Sequence, residues 1–428
     1  MIAVLQPGRP AGRVTAPPSK SMAHRAVLAA GLARGLSRVR NLEYSQDVLA
    51  TLNAVRQLGA RVEIRENWAD IEGRGGFATL RAPIDCGESG STLRFLIPVC
   101  SLTGQQVRFC GRGRLMQRPQ GPYAEIFEQQ GRMFCQNETG ILIKGGLRPG
   151  EYRLAGDVSS QFISGLLFAL PLMMGDSSIT ITPPFESRSY VNLTLAALAD
   201  FGVRARFVPD EELPQGAAAR LEVPGNQRYH NREYTVEGDY SQGAFFAVLG
   251  ALRGDITVEG LAPASGQGDA AILEILQRCG ARFTRTGDAV QFAKSELTAV
   301  EIDLADCPDL GPILMVLGAF CKGKTVIRNA GRLRLKESDR IAAMEEELRR
   351  FGVQIRSTED TVTIAGGPLV MPGEVQGHND HRVVMALTVA ALAAELPVRI
   401  HGAEAVAKSW PAFFDVVRGL GVPVAEEE

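Results

Sequence analysis

The sequence predicts an α/β fold made of six copies of one unit. Two interleaved periodicities carry that prediction, together with a break that falls in the same place in both. The first periodicity is an amphipathic helix that stops at glycine and runs into a strand, as in LNAVRQLGARVEI, LEILQRCGARFTR and MEEELRRFGVQIR. Its glycines are Gly59, Gly131, Gly202, Gly280, Gly352 and Gly421, at spacings of 72, 71, 78, 72 and 69 residues. In the first copy Val48, Leu49, Leu52, Val55 and Leu58 share one helical face. Gly59 follows where a helix end favours a left-handed residue. The residues after it alternate as a half-buried strand does.

The second periodicity is a polar, often serine-bearing start that opens a helix apolar nearly all round. Its copies begin near Ser21, Ser91, Ser160, Ser241, Asp309 and His381, at spacings of 70, 69, 81, 68 and 72. Helices apolar on every face belong inside, and those with a charged face belong outside. Both series have their longest interval between the third and fourth copies, over VPDEELPQGAAARLEVPGNQRYHNRE. A domain junction is expected there, three units on each side, as the 428-residue length also favours.

Composition narrows the function classes. Forty-six basic residues face 48 acidic ones, so a whole-chain attraction to nucleic acid or to an anionic membrane is not expected. No apolar run has membrane-spanning length, and the first residues do not read as a signal peptide. The seven cysteines form no C-x-x-C pair, which suits reduced thiols and a cytoplasmic setting. No cofactor motif survives inspection, and His378 and His381 have no third ligand at usable spacing, so no metal is expected.

The informative feature is charge at the starts of the apolar helices. Capping explains their Ser, Asp and Asn residues. It does not explain Lys20, Arg25, Arg94 or Arg382, because a cation there opposes the helix dipole. A small anion between cation and helix end resolves the conflict. Arg118 and Lys408 lie at further loop junctions, and Lys336 and Arg340 are read as one helical face with Glu337 beside them. The pattern predicts a local basic pocket for small anionic substrates.

In this order and spacing, PSKSMAHR, GDVSSQF, PDLG, RLRLKESDR, NDHR and AKSWPAFF resemble the 5-enolpyruvylshikimate-3-phosphate synthase family over essentially the whole chain. The resemblance implies a two-domain enolpyruvyl transferase fold, each domain an inside-out barrel of three α/β units around buried parallel helices. Residues 1–14 with 232–428 would form one domain and 18–226 the other, hinged near Val14 to Pro18 and Pro224 to Tyr234, with the active site in the cleft between them. It implies two small-molecule substrates, shikimate 3-phosphate and phosphoenolpyruvate, with no cofactor. Lys20, Ser21, Arg25, Ser159, Ser160, Gln161, Ser187 and Tyr190 would contact the shikimate phosphate and ring, and Asp309 and Lys336 would hold its hydroxyls. Lys20, Gly90, Arg118, Gln161, Arg340, Arg382 and Lys408 would hold phosphoenolpyruvate. Lys20, Asp309 and Glu337 would be catalytic, and a monomer is expected.

His24, Glu88, Phe95 and Arg332 depart from the family's commoner residues, as does YSQG from a Ser-Ser pair. Two alternatives stay open on the sequence. One is the sister transferase acting on UDP-N-acetylglucosamine. The other is a non-catalytic repeat protein that binds anions, against which Asp309 and Glu337 argue.

Overall fold

The computed structural model describes residues 1–428. Two compact units emerge, a continuous one of Lys20–Val236 and a discontinuous one of Met1–Ser19 with Glu237–Glu428. The continuous unit contains α1 (Lys20–Leu32), α2 (Gln46–Gln57), α3 (Gly90–Ser101), α4 (Gly121–Gln129), α5 (Ser160–Ala169) and α6 (Arg188–Asp200). The discontinuous unit contains α7 (Tyr240–Arg253), α8 (Ala271–Arg278), α9 (Gly311–Phe320), α10 (Arg340–Arg350), α11 (His381–Ala394) and α12 (Phe413–Gly419). All six repeat glycines adopt positive φ, Gly59 at 110°. An alanine at Gly59 would be strained by its Cβ.

Six four-stranded sheets carry the strands, one per repeat. In the repeat of α9 and α10, strand Glu301–Asp303 leads through α9 to Lys324–Arg328, its parallel neighbour. After α10, strands Gln354–Ser357 and Val362–Ala365 return antiparallel. Each repeat is therefore strand, apolar helix, strand, amphipathic helix and hairpin. Three strands come from outside their repeat's own stretch of chain. Glu233–Thr235 pairs parallel with Arg34–Arg40 in the sheet of α1. Gly12–Thr15 pairs parallel with Ile256–Glu259 in the sheet of α7. Ile2–Leu5 lies between Val398–His401 and Val424–Glu427, completing the sixth sheet.

The odd-numbered helices fill the cores. All of α11 from His381 to Ala393 is buried, and α7, α9 and α11 pack against one another. In the continuous unit α3 packs against α1 and α5. Each fully buried Leu, Ile, Val or Phe adds roughly 1.5–3 kcal/mol, and each unit gathers its own cluster of them. The amphipathic helices bury one stripe, Ile341, Met344 and Leu348 in α10. No helix is long and apolar enough to cross a membrane.

Candidate active site

In the continuous unit the expected residues gather at the starts of α1, α3, α5 and α6. Lys20 opens α1, and its Nζ lies 2.7 Å from Oδ2 of the buried Asp47 on α2. Arg25, one turn further in, is 3% exposed. Its Nε donates to Thr194 Oγ1 (2.9 Å), and its terminal nitrogens donate to the carbonyls of Ser21 (2.7 Å) and Tyr190 (2.9 Å). These acceptors are neutral, and burial pushes the guanidinium down to about 10. A buried cation so placed favours an arriving anion.

Ser89 caps α3 and Ser159 caps α5, accepting from the backbone N–H of Thr92 (3.2 Å) and Gln161 (3.3 Å). The Gln161 amide donates to Ser91 Oγ (3.0 Å) and accepts from Arg94 (2.8 Å). Gly90 begins α3 so close to its neighbours that an added Cβ would lie 2.9 Å from Arg118 Nη1 and 3.3 Å from Gln161 Oε1. Ser160 is buried in the first turn of α5. Ser187, buried in a left-handed conformation (φ 53°), precedes α6 and turns the chain toward Tyr190. Non-glycine residues held this way cluster at functional sites. Glu88 packs onto Gly113, its Oε2 2.3 Å from where a Cβ there would sit.

In the discontinuous unit, charge is concentrated around Arg340, which is 1% exposed. It donates to Asp380 Oδ2 (2.8 Å), Asp309 Oδ1 (3.2 Å) and Glu337 Oε2 (2.6 Å). Lys336 Nζ lies 3.2 Å from the same Asp309 oxygen, and Arg382 lies 3.3 Å from the other. Arg382 also donates to Ser241 Oγ (2.9 Å), whose own proton goes to Asp239 (2.6 Å). Burial pushes the Asp309 carboxyl up, but Arg382, Lys336 and Arg340 together hold it well below the ordinary carboxylate range. Burial lowers the Lys336 ammonium, with Asp309 opposing. Lys408, 4% exposed at the end of a short 3-10 turn, donates to the Asn379 carbonyl (2.6 Å).

One local expectation fails. Lys336 and Arg340 do not share a helical face. The Asp339 side chain accepts from Ala342 N–H and starts α10 at Arg340, leaving Lys336 in extended backbone. The two cations meet through Asp309, 27 and 31 residues away. Nothing in the sequence marks Asp47 and Asp380 as partners of the site cations. Each looked like part of a helix start, and only the fold pairs it with a cation. In sequence His24 is only a departure from the family's commoner residue. Its Nδ1 lies 2.7 Å from Thr51 Oγ1, which lies 2.7 Å from Thr92 Oγ1, which donates to Ser89 Oγ (2.8 Å). That last direction makes Thr51 donate to Thr92 and His24 Nδ1–H donate to Thr51. Burial, then Lys20 and Arg25, keep the imidazole far below its ordinary value and so neutral. The chain ties α1 and α2 to the cap of α3.

The model of the EPSP synthase (3-phosphoshikimate 1-carboxyvinyltransferase) family matches residues 4–417. The chain belongs to the EPSP synthase family. Its relatives include the 3-phosphoshikimate 1-carboxyvinyltransferase of Clostridium botulinum (strain Eklund 17B / Type B), 41% identical over 97% of this chain and 96% of that one. The enzyme of the same name from Clostridioides difficile (strain 630) is 41% identical over 99% and 98%. Among solved structures, EPSP synthase from Acinetobacter baumannii superposes with a TM-score of 0.80 at 28% identity, covering 99% of this chain and all of that one. The expected enolpyruvyl transferase fold is therefore the observed one.

Proposed function

We propose that the chain transfers the enolpyruvyl group of phosphoenolpyruvate to the 5-hydroxyl of shikimate 3-phosphate and releases phosphate, the step of the shikimate pathway that leads to chorismate and the aromatic amino acids. The observation that carries the site assignment is the pair of carboxylates, Asp309 and Glu337, bound to one buried guanidinium among further cations. A pure anion binder gains nothing from carboxylates in that place.

The reaction adds the hydroxyl oxygen to C2 of phosphoenolpyruvate while C3 gains a proton. The tetrahedral ketal then loses phosphate and a C3 proton. Asp309, ionised, accepts the hydroxyl proton, which the departing phosphate carries away, and Glu337 delivers a proton to C3 and later removes one. Lys20 stabilises the departing phosphate and is the third catalytic group in this reading. Arg25, Ser21, Ser159, Ser160, Gln161, Ser187, Tyr190 and Lys336 hold the shikimate phosphate and its hydroxyls. Gly90, Arg118, Gln161, Arg340, Arg382 and Lys408 hold phosphoenolpyruvate. Two polyanions repel, which accounts for the number of cations. We place the enzyme in the cytoplasm as a monomer, a reading supported by its seven unpaired cysteines for the compartment alone.

The test mixes protein and phosphoenolpyruvate with either shikimate 3-phosphate or UDP-N-acetylglucosamine and follows phosphate release. Release with shikimate 3-phosphate alone is expected. Release only with the nucleotide sugar, or with neither, overturns the reading.

Gly90→Ala gives a narrower prediction. The new methyl meets the ends of flexible side chains, so the fold survives. Arg118 and Gln161 must move by several tenths of an ångström. KM for phosphoenolpyruvate should rise about tenfold, since small misplacements in a site are costly. Unchanged steady-state kinetics would place phosphoenolpyruvate elsewhere.

A further inference from the structure

The turn Gly377–Asp380 joins strand Glu374–Gln376 to α11, and its middle is unusual. His378 (φ 51°) and Asn379 (φ 52°) are consecutive non-glycine residues in the left-handed region. Such residues persist only where their surroundings hold them. Two backbone bonds help, Gly377 N–H to His401 O (2.8 Å) and Asp380 N–H to Gly377 O (2.9 Å). The side-chain anchor is His378, whose Nε2 lies 2.9 Å from Oε1 of Glu347 on α10. The Glu347 carboxylate is fully buried, yet the imidazole is 26% exposed and can exchange its proton with solvent.

What this turn presents gives the anchor its importance. The Asn379 carbonyl receives Lys408, and Asp380 receives Arg340 while capping α11. If the turn relaxed to right-handed backbone, both cations would lose the acceptors that aim them. We infer that His378, through its contact with Glu347, is a positioning residue that locks this turn and thereby sets Lys408 and Arg340 for phosphoenolpyruvate. The inference rests on the assignment of those two cations to phosphoenolpyruvate above.

The charges facing His378 are Glu346, Glu347 and Arg350 from α10 and Asp380 from its own turn. His401 and Glu374, on the adjoining strands, pair with each other at 3.0 Å. Glu346, Glu347 and His378 could together approach a metal ion. Arg350, however, lies 3.1 Å from the second Glu347 oxygen and 3.4 Å from Glu346, so the cluster is already balanced as ion pairs. The hydrogen bond to Glu347 pushes the imidazole pKa up, burial opposes it, and the neighbouring carboxylates add to the rise. A group raised on folding stabilises fully below its unfolded pKa, and that stabilisation is lost as pH rises through the folded value. The lock is therefore strongest when His378 is protonated.

The test measures kcat and KM for each substrate against pH in the native enzyme, His378→Gln and His378→Lys. Glutamine can donate to Glu347 without titrating and so imitates the neutral ring, while lysine keeps the charge. In the native enzyme KM for phosphoenolpyruvate should rise about three- to tenfold as pH passes through the His378 pKa, the reciprocal of the fraction of locked turns. His378→Gln should show the raised KM throughout, and His378→Lys the low KM throughout. A native-like pH step in His378→Gln, or three indistinguishable profiles, overturns the inference. A step in KM for shikimate 3-phosphate instead, abolished by both variants, would keep the lock and withdraw the placement of phosphoenolpyruvate.

Discussion

Replacing Asp309 with asparagine should lower kcat by about 10²- to 10⁴-fold, the usual loss when a positioned proton acceptor is removed. The substitution keeps the shape and one acceptor oxygen, so circular dichroism should not change. It also removes the anion that Lys336, Arg340 and Arg382 share. Lys336 is lowered by burial and supported by Asp309, so without that support its pKa falls further. The residual activity of Asp309→Asn should accordingly decline at lower pH on the alkaline side than that of the native enzyme. A variant with near-native kcat would show that another group takes the hydroxyl proton.

Replacing Arg340 with methionine should be the most destabilising single change in the discontinuous unit. The guanidinium balances Asp380, Glu337 and Asp309, whose side chains are 0%, 14% and 18% exposed. Removing one partner of a buried ionic group costs about 3–5 kcal/mol, because the charges left behind have no compensation. For a unit of this size that corresponds to a fall in Tm of roughly 10 °C. The deficit should narrow as pH falls, since unpaired buried carboxylates take up protons more readily in the folded state than in the unfolded one. The native enzyme should move the other way in acid, because its Asp309 is depressed and its stabilisation is lost when it protonates. Scanning calorimetry over a pH series distinguishes the two. A variant as stable as the native chain would mean that the carboxylates are solvated or protonated.

These two residues also show how far the sequence could be read. Six glycines and six polar helix starts revealed the repeat, because helix ends and buried helices leave periodic marks. The repeat alone did not show the exchange of strands, and only the family resemblance placed residues 1–14 with the C-terminal part of the chain. Glu233–Thr235 and Gly12–Thr15 are short, and alternation does not say which sheet a strand joins. The cations of the site were legible because they violate the helix dipole. Their anionic partners were not, because Asp47 and Asp380 sit where an ordinary aspartate belongs at a helix start. Lys336 and Arg340 were placed together for the wrong reason. Their four-residue spacing imitated a helix that Asp339 in fact begins later, and Asp309, distant in sequence, brings them together.

Carboxylates set among cations turn an anion site into one that moves protons to and from carbon. Running the reaction in deuterium oxide and reading the product vinyl group by mass spectrometry and proton NMR tests it most directly. A carboxyl such as Glu337 exchanges with solvent and delivers deuterium to C3, and the resulting methyl group rotates far faster than turnover. Deuterium is expected in the vinyl methylene of the product after a single turnover. Product whose vinyl group holds no deuterium would contradict it, since C3 would then never have passed through a methyl state.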